Sequence, residues 1–365
     1  MQKILASIVV AAALFAPAVA GAQTDQKSVF YRGTVQSVED VEPGSEAFSG
    51  ATVQLLRVRL DEGPDRGKDV DVEALSTSDA KYTRTATGDR VVITYESGTD
   101  TYYLVNPYRL PSILWAVAVF AVLVLAFGRW REFTALLGLA FSALFIVAVF
   151  VPNVLAGRGP LVFGLLTSAV VLLVSLYLAH GLNRRTTVAV VGSFAALGIA
   201  ALLAVAVVSF GKLFGLGSEA ASYVSLGQLG FVDTRGLLLA GILIGAVGVL
   251  DDITIGQSAA VHGRLALASL RSPGESCSGV VRDSGVSTSP LVNTLFLAYA
   301  GVSLPLFLLF SSQKDQPLWA VLNGWQTAEE IARTLIGSSA LVIAVPIATL
   351  LASVAATRWR RHVGA

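Results

Sequence analysis

Asp251 and Asp252 stand side by side in the stretch GVLDDITIGQ, at the end of a glycine-rich apolar run. An ionisable group at membrane depth costs at least about 2.5–3.5 kcal/mol, so it is kept where it is paired, hydrated or holding a ligand. Carboxylates so placed can take up and release a proton or a small cation. If the run from Gly236 continues as a helix through the acids, Gly241, Gly245, Gly248 and Asp252 fall on one face, at spacings of 4, 3 and 4. Glycines on one face let a neighbouring helix approach closely, which turns Asp252 toward helix contacts rather than lipid. Asp251 lies about 100° round the axis, with Thr254 and Ser258 on its own face.

A partner for the acids is expected from the segment LVNTLFLAYAGVSLPLFLLF, which carries Asn293 and Thr294 near its start and Tyr299 further out. The depths match, so Asp252, Asn293 and Thr294 can form one cluster that binds an ion or solute. Pro305 and Pro346 free backbone carbonyls and permit kinks. A plainer reading competes: the acids mark the membrane interface and are solvated by headgroups. In that reading Asn293 and Thr294 only hold helices together, with about 0.6 kcal/mol at stake.

The elements that must position these residues are membrane helices. The chain has 365 residues, of which 54% are hydrophobic and 14% charged. Soluble domains carry about 25% charged residues, so this is a membrane protein with a soluble portion. Six uncharged runs are long enough to cross about 30 Å of hydrocarbon: 110–128, 133–157, 159–183, 186–211, 284–313 and 334–357. Gly236–Leu250 has only 15 uncharged residues, about 22 Å of helix. It spans only if it runs on through Asp251 and Asp252. That choice gives seven spans, with ten basic residues on the inner side, among them Arg129 and Arg131, against five outside. Basic residues favour the cytoplasmic side, which places the C-terminus there.

The start of the chain reads as a signal sequence, residues 1–22: Lys3, an apolar core from Ile4 to Phe15, Pro17, then small residues at Ala18, Ala20 and Ala22. Residues 23–109 hold short alternating segments at 28–38, 51–60, 68–75, 89–96 and 101–106, separated by turn-forming stretches. Alternation between turns predicts strands. Five strands in so short a stretch fit a small extracytoplasmic all-β domain, an OB-like barrel, with a β-sandwich as the competitor. The inward register of 51–60 is ambiguous, because Val53, Leu55 and Val58 do not alternate cleanly. The helical membrane domain follows over 110–357, and a basic tail over 358–365.

Other function classes lack support. Net charge is +1 and no basic stripe appears, so nucleic acid is not an expected partner. One cysteine, Cys277, and three scattered histidines, His180, His262 and His362, build no structural metal site. No nucleotide-binding, hydrolase or metalloprotease motif is present, and no nucleophile has a positioned base, so neither an enzyme nor a cofactor is expected.

The stretches GAVGVLDDITIGQSAAV (245–261) and VNTLFLAYAGVSLPLFLL (292–309) resemble the YibE/F family of bacterial membrane proteins. GPDRGKDVDVEAL, YYLVNPYRLPS and EEIARTLIGSSALVIAVPIATLLA resemble it too. The resemblance implies a multipass protein of the bacterial inner membrane, with an acid at Asp252 and an Asn-Thr at 293–294. The family's Gly-Arg-Asp-His stretch is altered here, with Ser284 where the histidine falls. It implies no substrate. Two functions compete: a permease for a small solute or ion using Asp252, and a non-transporting envelope protein whose β domain docks a partner. Besides the lipid bilayer, the expected partners are an envelope protein or a second copy of the chain.

Overall fold

A computed structural model describes residues 29–41, 52–76, 85–96, 101–226, 229–271, 289–312 and 316–363. The expected signal sequence, Cys277 and Ser284 lie outside these residues. The chain divides into two compact units, one over 20–126 and the other holding the helices from Phe127 onward.

The first unit is built on five strands: β1 (Val29–Val41), β2 (Thr52–Leu60), β3 (Asp69–Ser76), β4 (Arg90–Glu96) and β5 (Thr101–Pro107). They close into a barrel in the order β1-β2-β3-β5-β4. All pairs are antiparallel except β3 with β5. Closure leaves no sheet edge to aggregate. Val35, Leu56, Val58, Leu60, Val72, Val91 and Ile93 fill the interior.

The register that the sequence left ambiguous is clean. Gln54, Leu56, Val58 and Leu60 point inward, and Leu55 points out. Gln54 is tolerated inside because its side-chain carbonyl accepts a hydrogen bond from the Thr85 amide, 3.2 Å. At the barrel's exit Arg32 pairs with Glu62 through Nη2 to Oε2, 2.6 Å, and Nε to Oε1, 3.0 Å. Its Nη1 donates to the Tyr108 hydroxyl at 3.2 Å. The Arg32 hydrogen bonds hold the Glu62 carboxyl below its ordinary range.

The helices are α1 (Leu110–Phe145), continued by a π-helical turn, Ile146–Phe150, then α2 (Val151–Leu155), α3 (Pro160–His180), α4 (Arg184–Phe210), α5 (Glu219–Leu226), α6 (Thr234–Arg271), α7 (Ser289–Val302), α8 (Leu304–Ser312), α9 (Leu318–Asn323) and α10 (Trp325–Val363). Chain punctuation sets their ends. Pro160 opens α3 where its missing N–H costs nothing. Asn183 caps α4 by accepting from the Thr186 amide, 2.9 Å.

Among the described residues, six segments are long and apolar enough to cross a membrane: Leu110–Phe127, Phe133–Leu155, Pro160–His180, Arg184–Phe210, Thr234–Val261 and Trp325–Ala355. The seventh expected span, 284–313, lies partly outside the described residues; within them it is two short apolar helices broken at Ser303, because Pro305 has no N–H to continue the ladder. The loop expected at Arg129 and Arg131 is corrected: α1 runs through it unbroken. Nothing in GRWRE forbids a helix; charge marks an interface but does not stop one. The expected basic tail is likewise still helical, to Val363.

In the helical unit α6 packs among α3, α4 and α10. Leu172, Leu176, Leu197, Leu243, Leu250 and Leu341 form its core. The close approach is between α3 and α6: a Cβ on Gly164 would lie 2.8 Å from Ala240 Cα, closer than side chains tolerate.

Candidate functional site

α6 passes through both aspartates without a break. Helical spacing sends the two carboxylates to different surroundings. Asp251 is half-buried and accepts a short hydrogen bond from the Ser175 hydroxyl of α3. Its other oxygen, Oδ1, is buried with no hydrogen-bond partner. Asp252 is exposed on the bundle surface.

Both acids line a cavity of about 580 Å³ bounded by α1, α3 and α6, together with Ser142, Ser175, His180 and Gly248. Ile146, the first residue of the π-helical turn, also lines it. The wider turn re-aims side chains at this wall. Among the described residues no three His, Cys, Asp or Glu side chains come together.

The glycine face behaves differently from the expectation. Gly241, Gly245 and Gly248 are exposed, and nothing lies within 4 Å of a Cβ built on Gly248. Among the described residues no helix backbone is closely packed on them; the close α3 contact is made by Gly164 of α3 against Ala240. Instead the glycines floor an open strip. Tyr299 Oη stands 3.6 Å from the Cβ position of Gly245 and 3.5 Å from that of Gly337, and Arg333 Nη1 stands 3.9 Å from that of Gly241.

Asn293 and Thr294 share the acids' depth but do not line their cavity. Leu295 and Tyr299 of α7 lie by Gly337 while Ser303 lies by Thr327, so α7 runs antiparallel to α10. Arg333 lies by Gly241 and Tyr299 joins Gly337 to Gly245, so α10 runs parallel to α6 and α7 antiparallel to it. Asn293 precedes Tyr299 by six residues, and Asp251 follows Gly245 by six; each offset is about 9 Å of helix. Both Asn293 and Thr294 are exposed and absent from the cavity wall. Of the kinking prolines, Pro305 restarts a helix after the break at Ser303, while Pro346 lies inside an uninterrupted α10.

Thr254 and Ser258, expected on the face of Asp251, turn into the bundle. The hydroxyls of Thr254 and Ser193 meet at 2.6 Å, and Ser258 donates to the Arg185 carbonyl at 3.3 Å. Gln257 donates to Thr349 Oγ1 at 2.5 Å. These cross-links tie α6 to α4 and α10 just beyond the acids, and hold the helix in its rotational setting.

Two features escaped the sequence reading. Ser175 stands in an apolar stretch of α3, where its two-turn spacing from Ser168 gives a faint hint of a polar strip. Glu329 of α10 is buried and accepts from three consecutive amides: Gly215 at 2.8 Å, Leu216 at 3.0 Å and Gly217 at 2.9 Å. Gly215 has a φ of +78°, and a side chain there would strike the Thr234 carbonyl. The loop after α4 therefore wraps a carboxylate in backbone donors.

No match was found among curated proteins or among solved structures. Residues 116–358, well over half of the chain and including the acids, Ser175 and the broken helix pair, match the model for YibE/F-like protein, and the chain belongs to that family of proteins with apolar, membrane-capable helices.

Proposed function

We propose that this protein is a permease whose bundle cavity binds a proton, a small cation or a cationic solute at Asp251 and Asp252. One observation carries the reading: a cavity of about 580 Å³ beside an apolar, membrane-capable helix holds two carboxylates, and one of them has a buried oxygen with no partner. An acid in such a helix is costly to fold and is retained where it has a ligand to meet. Ser142, Ser175 and His180 supply further polar contacts on the same wall. We place the protein in a bacterial inner membrane with its barrel outside and its C-terminus in the cytoplasm. That orientation rests on the secretory-type leader and on Arg358, Arg360 and Arg361 at the end of the chain. The test is a flux assay in proteoliposomes carrying candidate ion gradients, comparing wild type with Asp251→Asn and Asp252→Asn. Loss of flux in either variant, with insertion and folding intact, supports the reading; undiminished flux in the double variant removes it.

A second reading gives the work to the barrel. Its strand order and the parallel β3–β5 pair support an OB-type assignment. Phe30, Thr94 and Tyr103 are cross-strand neighbours on its outer side, with Phe30 and Tyr103 exposed. Such a patch suits an envelope partner. If it is the working surface, Phe30→Glu in the full chain removes function while Asp252→Asn leaves it.

A further inference from the structure

The cavity that holds Asp251 and Asp252 has a volume of about 580 Å³, in the range that takes small organic molecules. A proton or a bare ion would leave most of it unfilled. Much of its wall is hydrocarbon: Leu139, Ile146, Val171, Ile244 and Val247 line it beside the polar groups. Such a wall is matched by an apolar body on the ligand. The hydroxyls on the wall have their protons engaged. Ser142 Oγ donates to the Gly138 carbonyl at 2.8 Å. Ser175 Oγ donates to the Asp251 carboxylate. Each therefore turns only lone pairs to the cavity. Asp252 is exposed, and among the described residues it makes no hydrogen bond or ion pair.

Two carboxylates and two serine oxygens are acceptors, so the ligand must bring hydrogen-bond donors as well as positive charge. N–H groups on a cationic nitrogen supply both. A quaternary ammonium has no N–H and is held by aromatic faces, and the described wall includes no Phe, Tyr or Trp. We propose that the cavity takes a primary ammonium group on a short aliphatic chain. The nitrogen meets Asp252 and the serine oxygens, and the chain fills the space against Leu139, Val171 and Val247. The assignment deepens the permease reading and rests on it for passage across the bilayer, though not for binding.

The experiment uses the full chain purified in a neutral detergent, with binding measured by isothermal titration calorimetry. Butylammonium is compared with butanol, tetramethylammonium and sodium. Butylammonium is expected to bind wild type saturably and Asp252→Asn at least about tenfold more weakly. Gly248→Leu is expected to abolish binding. Nothing lies within 4 Å of a Cβ at Gly248, so the larger side chain enters the cavity and leaves both acids in place. Retained melting transitions show that both variants are folded. Butanol, tetramethylammonium or sodium binding as tightly as butylammonium overturns the assignment, as does equal butylammonium binding to wild type and Gly248→Leu. Ion flux that depends on Asp251 and Asp252 in a protein that binds no amine overturns this assignment alone and leaves the permease standing. Saturable amine binding without flux of any ion or amine removes the permease and leaves the site.

Discussion

The Ser175 hydroxyl of α3 donates to the Asp251 carboxylate of α6, joining two helices where that acid enters the bundle wall. Removing the donor leaves both carboxylate oxygens without a partner, since Oδ1 already has none. Ser175→Ala is therefore expected to lower stability by about 1–3 kcal/mol. Asp251→Asn, whose amide can still accept from Ser175, loses less. Chemical unfolding in detergent measures both, and a Ser175→Ala protein as stable as wild type would refute the coupling.

Glycines on opposite sides of the α6 interface separate packing from open space. Gly164→Ala drives a methyl into Ala240 of a rigid neighbour and is expected to cost about 1–3 kcal/mol. Gly248→Ala meets nothing within 4 Å and gains about 0.5–1 kcal/mol of helix propensity. Apparent melting temperatures of the two variants should move in opposite directions.

Glu329 clamps the loop after α4 by filling three consecutive backbone donors. Glu329→Ala strips charge-assisted bonds from a buried turn, at a cost of roughly 2–4 kcal/mol. Hydrogen exchange at Gly215, Leu216 and Gly217 is expected to accelerate while exchange in the barrel stays unchanged. Unaltered protection at these three amides would show that the loop holds without its anion.

The barrel carries a pH signature at Glu62. Its carboxyl is held below the usual range first by the side-chain hydrogen bonds from Arg32. A folded value lower than the unfolded one means that the pair contributes fully above the ordinary carboxylate range. The contribution is then lost as pH falls through the lower folded value. Arg32→Ala should return Glu62 toward its ordinary titration, read by carboxyl carbon NMR on glutamate-labelled protein. An unshifted titration in that variant would contradict the assignment.

Much of the fold was legible because it rests on local periodicity. The five strands emerge from alternation between turns, and five of the six long apolar segments from uninterrupted runs. Asp251 and Asp252 stood out as an anomaly against that background. The break at Ser303 was half visible in Pro305, which marks a possible stop without saying whether neighbours will bridge it. Pro346 shows the other outcome, within a helix that continues. Spacing places Gly241, Gly245 and Gly248 on one face but does not name what faces them. Ser175 was invisible, since its partner lies 76 residues away in the chain.

By itself the sequence determined that this chain carries long apolar, membrane-capable helices, that a small β unit precedes them, and that two adjacent acids interrupt one apolar run. Hydrophobic runs and alternation are local properties, readable without neighbours. Only the tertiary structure decided that Gly164, rather than the exposed glycines, seats α3 against α6. It also decided that Asp251 meets Ser175 while Asp252 stays exposed, and that Asn293 stands at the right depth without reaching the cavity. These outcomes depend on the rotation of each helix about its own axis. That rotation is set by close packing across α3, α4, α6 and α10, and no single segment encodes it.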